Sequence, residues 1–194
     1  LALRMMSPGE LAGLSALVFV AAVLYSMVGH AGASGYLAAM ALVGIAPAIM
    51  KPTALTLNIL VASVGTVQFV RAGRFSWGLF WPFALSSVPF AFLGGSLALP
   101  IPLYKRLLAL VLLYAATRLF RASTPAGAEP RAPQRPIAVA SGAGIGFLSG
   151  LTGVGGGIFL SPLMIIKGWA DARRTAAISV AIGLVNSVSG LLGH

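Results

Sequence analysis

Two stretches of this chain carry residue types suited to holding an anion: Gly29-His30-Ala31-Gly32-Ala33-Ser34-Gly35 and Thr152-Gly153-Val154-Gly155-Gly156-Gly157. Glycines let a ligand approach the backbone, and a helix restarting after such a break presents unpaired N–H groups at the positive end of its dipole. Gly155, Gly156 and Gly157 are the first candidates, with Gly153, Gly29 and Gly32 beside them. His30 is the one titratable side chain near either break; with an ordinary pKa of about 6.5, an imidazole there is suited to donate to an anion, to carry a coupling proton, or simply to make a structural hydrogen bond. Ser34, Thr152, Ser149 and Ser26 add hydroxyls, although buried hydroxyls often bond back to their own helix. Asn58 and Asn186 lie inside apolar runs, where an amide needs a partner and faces either a neighbouring helix or a polar cavity.

The rest of the chain must position these residues in lipid rather than in water. Hydrophobic residues make up 58% and charged residues 8%, against about 25% charged in soluble domains, and the mean hydropathy is +0.97. At roughly 20 residues per crossing, 194 residues allow about seven or eight membrane segments and no separate soluble domain. The apolar runs are 11–28, 36–50, 53–70, 77–99, 103–120, 137–151, 158–166 and 175–192. Lys51-Pro52 is read as the turn before the third, with Pro52 at a first helical position. Trp77 and Trp81 are interfacial belt residues, while Lys105, Arg106 and Arg118 in the fifth run require snorkelling. Run 158–166 is about 14 Å long as a helix, too short to cross, and is read as a half-helix.

Three parts follow: 1–120 with a first repeat, a basic Pro- and Ala-rich loop at 121–136, and 137–194 with a second, truncated repeat. Aligning Gly32 with Gly155 brings Ser26 onto Ser149, Tyr36 onto Phe159, Leu37 onto Leu160, Lys51 onto Arg174 and Ala54 onto Ala177. An odd number of crossings between the copies gives opposite orientations, the inverted-repeat plan of many secondary transporters. The expected fold is therefore an all-α polytopic membrane bundle with two inverted repeats and glycine-broken half-helices. On a count that treats the second and seventh runs as crossings, one side holds Arg4, Lys51, Lys105 and Arg106, and the side with the other nine basic residues is cytoplasmic. Lys51 and Arg174 are topology anchors or cationic gates at matching places. Gly142, Gly146 and Gly150 have the spacing of a close helix-packing seam. Because the chain starts at Leu1 and ends in an apolar run at His194, a fragment is expected.

Several classes are excluded. The net charge of +10 comes from basic residues scattered between apolar runs, which is not a nucleic-acid face. Glu10, Glu129 and Asp171 are the only acids and none falls mid-run, which argues against a cation pump, a carboxylate relay or paired-carboxylate catalysis. With no cysteine, no phosphate-binding loop and no H-E-x-x-H, the chain is expected to be neither an enzyme nor a carrier of a cofactor or metal.

The segment Leu151-Thr152-Gly153-Val154-Gly155-Gly156-Gly157-Ile158-Phe159-Leu160-Ser161-Pro162 resembles the glycine signature and following proline of the TauE/SafE sulfite exporter family. Lys51-Pro52-Thr53-Ala54 and Arg173-Arg174-Thr175-Ala176-Ala177 resemble its post-turn helix starts, whereas residues 30–35 depart from the cleaner glycine run expected in the first copy. The resemblance implies a multi-pass inner-membrane permease exporting sulfite or an organosulfonate. Taken together, the expectation is a secondary transporter moving a small anion by alternating access, with the bilayer as its surroundings, no nucleic-acid partner, and a homodimer as the candidate assembly. A membrane assembly subunit and a passive anion channel are the competing readings.

Overall fold

The computed structural model describes residues 7–27, 30–120 and 131–194. Among these the chain is all-α, with eight helices in order: α1 (Pro8–Met27), α2 (Ala33–Leu42), α3 (Pro47–Arg71), α4 (Trp77–Ser96), α5 (Ile101–Phe120), α6 (Arg135–Thr152), α7 (Gly157–Ile166) and α8 (Ala172–Leu192). Four of them, α1, α3, α4 and α8, are long and apolar enough to cross a bilayer. Gly29 and residues 121–130 of the expected loop lie outside the described residues, and α6 has already begun at Arg135.

Helix starts follow local chemistry. Ser7 and Glu10 form a reciprocal capping box at α1, the Ser7 N–H donating to Glu10 Oε2 (2.9 Å) and the Glu10 N–H to Ser7 Oγ (3.2 Å). Asp171 caps α8 by accepting from the Arg174 N–H at 2.8 Å. The start of α3 differs from the sequence reading. The break falls at residues 43–46 and Pro47, not Pro52, takes the first turn. Gly44 supplies the left-handed turn (φ 78°) that ends α2, and Pro47 loses no hydrogen bond where the N–H is unpaired anyway. Pro52 is then inside α3, and Lys51 is a full turn within the helix instead of at a corner.

Helix α8 is the axis of the bundle, with 67% of its spanning window buried against 6% for α1. It packs on α3, α4, α6 and α7. The closest pair is α4 and α6, joined along the expected glycine seam. A methyl group on Gly142 would meet the Phe83 carbonyl oxygen at 2.6 Å, and one on Gly146 would meet Ser87 Cα at 2.7 Å. Backbones this close exclude any side chain at the contact.

Two apolar cores result. One joins Phe80, Phe83, Ile145, Leu160, Met164, Ile178 and Ile182, and holds α7. The other joins Tyr36, Leu37, Met40, Met50, Tyr104, Leu108 and Val154, and holds α2. Each short helix is thus anchored by its apolar body in its own core. The expected belt residues Trp77 and Trp81 are exposed at the start of α4, their rings stacked 6.3 Å apart.

Replacing Gly146 by Ala forces α4 and α6 apart and is expected to destabilise the folded protein by about 1–3 kcal/mol or more, read as a lowered melting temperature in detergent. Gly144→Ala, where no atom lies within 4 Å of the new methyl, should leave it unchanged.

Candidate anion site

Both short helices begin at glycines in the left-handed region: Gly32 (φ 89°) caps α2 and Gly156 (φ 86°) caps α7. In neither case does a side chain cap the start; at α7 the Phe159 and Leu160 N–H groups share the Gly156 carbonyl (3.1 and 3.2 Å), so only the first N–H groups of each short helix are left without an i−4 partner. The two starts come together on one small cavity. Its wall includes Gly32, Ala33 and Ser34 of α2, Gly157 and Ile158 of α7, Asn58 of α3, Ser179 and Gly183 of α8, Tyr25 of α1 and His30. The volume is about 20 Å³, room for roughly one water molecule.

Of the residues singled out in the sequence, His30, Gly32, Ser34, Asn58 and Gly157 line this cavity. Asn58 is buried, and its amide donates to Ser187 Oγ (2.7 Å) and to the Gly183 carbonyl (3.4 Å), fastening α3 to α8. Ser34 Oγ donates to the Tyr25 hydroxyl at 2.9 Å, and Tyr36 donates to the Ala31 carbonyl at 2.6 Å, which holds the first break in shape. His30 is half-buried, its backbone N–H donating to the Tyr25 carbonyl at 2.9 Å.

The second break is a hinge between two amides. A methyl group on Gly155 (φ 81°) would press on the Asn58 amide and lie 3.0 Å from Ser187 Oγ; one on Gly156 would lie 2.6 Å from Asn186 Nδ2 and 3.3 Å from Ser149 Cβ. Asn186 accepts from Ser87 of α4 through Oδ1. Its Nδ2, like Ser149 Oγ, is fully buried and makes no hydrogen bond to any described residue. Two spare donors therefore sit at the cap of α7. Asn186 does not line the small cavity; it lies against the neighbouring glycine of the hinge.

Thr152 and Gly153 stand behind the hinge. The Thr152 hydroxyl donates back to the Leu148 carbonyl of its own helix (2.7 Å), and its carbonyl accepts from the Tyr104 hydroxyl of α5 (3.1 Å). A methyl on Gly153 would meet Lys51 Cγ at 3.0 Å.

Lys51 and Arg174, matched in sequence, have different surroundings. Arg174 is exposed and paired loosely with Asp171 (3.6 Å), a contact worth little in water. Lys51 is buried, and its ammonium donates to the carbonyl of Gly95 at 2.9 Å. Gly95 belongs to the last turn of α4, whose carbonyls lack helical partners and form the negative end of the dipole, so the cation completes that helix end.

Tyr25, Ser179 and Gly183 were not singled out in the sequence. For the α8 pair a signal exists, since Thr175, Ser179, Gly183, Asn186 and Gly190 put small and polar residues on one buried face at helical spacing. Ser179 also accepts from Ser161 Oγ at 2.8 Å, tying α7 to α8.

A second, wider cleft of about 480 Å³ runs beside α3 between Ser26, Leu60, Val64, Gln68 and Phe69. It shares His30, Ala31 and Val180 with the small cavity, so the two adjoin at those residues. Among the described residues no group of three or more His, Cys, Asp or Glu side chains is arranged to hold a metal.

Spanning helices, two short helices starting at an interior cavity, and buried donors without charge partners define a multi-pass membrane protein of the transporter kind. The family profile of the sulfite exporter TauE/SafE matches residues 14–194, and the chain belongs to that family. It is also 44% identical over 188 residues to a probable membrane transporter protein, y4hK, of Sinorhizobium fredii, covering 95% of this chain and 76% of the relative. No solved structure matches it.

Gly155→Ala places a side chain in the left-handed region, at about 1–2 kcal/mol, and against the Asn58 amide. The expected result is a lower melting temperature together with loss of transport, whereas Gly168→Ala, strained by a similar φ of 62° but facing open space, should lower the melting temperature and spare transport.

Proposed function

We propose that the protein is a secondary transporter of a small anion, sulfite or an organosulfonate, working in the inner membrane by alternating exposure of the cavity between α2 and α7. The observation that carries this reading is the convergence of two half-helix N-termini on one interior cavity, each the positive end of a dipole. Polar groups in the cavity wall are the Asn58 amide, the hydroxyls of Tyr25, Ser34 and Ser179, and His30. A sulfur oxyanion as substrate, and export as direction, follow from the family's description.

At about 20 Å³ the cavity is too small for any such anion, so the conformation described is a closed one. Widening toward the adjoining cleft would pass His30, Ala31 and Val180, which line both spaces. Two inverted repeats, each a short helix followed by a long one (α2–α3 and α7–α8), supply elements able to rock against each other, with α3 and α8 in contact along the Asn58 and Ser187 pair.

Reconstitution in liposomes tests the reading. Saturable sulfite or sulfoacetate flux showing counterflow is expected, and Gly156→Leu, which fills the α7 cap against Asn186, should abolish it in correctly inserted protein. Flux that rises linearly with concentration would mean a channel; unchanged flux in the variant would remove the site from the second break.

A further inference from the structure

Among the described residues Lys51 is the one buried charged side chain, 5% exposed. An ammonium taken out of water is costly unless it is partnered, and an ionisable group enclosed in a membrane protein is a functional candidate by default. The described acids do not serve it, since Glu10 and Asp171 are engaged in the caps of α1 and α8. Its partner is the Gly95 carbonyl at 2.9 Å, at the end of α4, a helix with no basic residue of its own in the last turn. Gly95 is also where the frame is tightest: a methyl there would press on the Gly190 carbonyl of α8, and one on Gly150 of α6 would lie 2.8 Å from the Gly95 nitrogen. The lysine stem bears on the second break. A methyl on Gly153, the left-handed cap that ends α6, would lie 3.0 Å from Lys51 Cγ and 3.4 Å from its Cα.

We propose that Lys51 is a positioning residue for transport, a latch that holds the closed conformation by fastening the start of α3 to the α4–α6–α8 frame. This rests on the reading of the cavity as closed. Two observations make release of the latch a movement of the site. Lys51 stands immediately before Pro52, which has no N–H to give the Ala48 carbonyl, so the first turns of α3 can bend against the rest of the helix. Met50, beside Lys51, shares one apolar core with Tyr36, Leu37 and Met40 of α2, so α2 travels with those turns. The start of α2 in turn forms a wall of the cavity through Gly32, Ala33 and Ser34. When Lys51 leaves the Gly95 carbonyl, α2 and the start of α3 swing at Pro52 as one body. The α2 wall then separates from the α7 wall, while Asn58 and Ser187 keep the rest of α3 on α8. One lysine thereby couples the first short helix to the frame and to the hinge of the second.

The test is made in liposomes holding the full chain, on an Ala33→Cys background, a position 2% exposed on the α2 wall in a protein without native cysteine. Lys51→Met keeps an unbranched stem against Gly153 and removes the ammonium; Lys51→Arg keeps a cation. A negatively charged thiosulfonate reagent should modify the introduced thiol at least about threefold faster in Lys51→Met than with Lys51 present, as a shift toward the open state requires. Lys51→Arg should return the rate toward that of the native lysine. In flux assays KM and kcat for sulfite should fall together in Lys51→Met, because a larger open fraction raises apparent affinity while slower closure limits turnover. A lysine needed only for stability would lower the melting temperature and leave the modification rate and KM unchanged, and that result would overturn the latch. Pro52→Ala, which keeps Lys51 and returns the N–H that α3 lacks, tests the same movement in a variant that favours the helix. Slower modification and a lower kcat are expected; unchanged rates would equally overturn the proposal. Absence of saturable flux for sulfite and sulfoacetate would remove the transporter reading, whereas the modification rates need no substrate and decide the latch alone.

Discussion

Lipid cannot solvate a peptide group, and that constraint organises this molecule. Two breaks in an apolar chain expose backbone N–H groups that hydrocarbon would leave unpaired, so both must be enclosed by protein. The chain encloses them against each other. The starts of α2 and α7 meet across Asn58 and the small-residue face of α8, while their apolar bodies are held in separate cores. What is a liability in a membrane becomes a set of donors facing an interior space.

Enclosure of that kind needs a frame that does not yield. The α4–α6–α8 unit supplies it, with backbones brought into contact at Gly142, Gly146, Gly95 and Gly190. Ser189 Oγ donates to the Val88 carbonyl at 2.6 Å, adding a polar tie between α8 and α4. Lys51 connects the other side, reaching from α3 to the open end of α4. Glycine has two uses here. In α6 it brings helices together, and in the hinge at Gly155 and Gly156 it adopts a backbone conformation beside amides that leave no room for a side chain.

Much of this was legible in the sequence, because the physics involved is local. Hydropathy marks the helices, although among the described residues only four of the seven or eight expected membrane segments are long and apolar enough to cross, and the glycine runs mark the breaks where they interrupt an apolar stretch. The spacing of Gly142, Gly146 and Gly150 gives the seam. What was not legible depends on choices between equivalent signals. Pro47 and Pro52 are both suitable helix starts, and only the left-handed turn at Gly44 selects the first. That choice moves Lys51 from a corner to the interior, which separates it from Arg174, held at an exposed first turn by Asp171. Tyr25 and Ser179 enter the site through tertiary packing of α1 and α8, which no spacing near the breaks encodes.

The central claim is that both breaks serve one anion-binding space, and the absence of native cysteine makes it directly measurable. Single cysteines at Ala33 and Ile158, which line the cavity from α2 and α7 respectively, are reacted in transport-competent liposomes with a negatively charged thiosulfonate reagent, with and without methanesulfonate. The account predicts that one and the same concentration of methanesulfonate slows modification at both positions. Protection at one position only, or at neither while transport is intact, would contradict it.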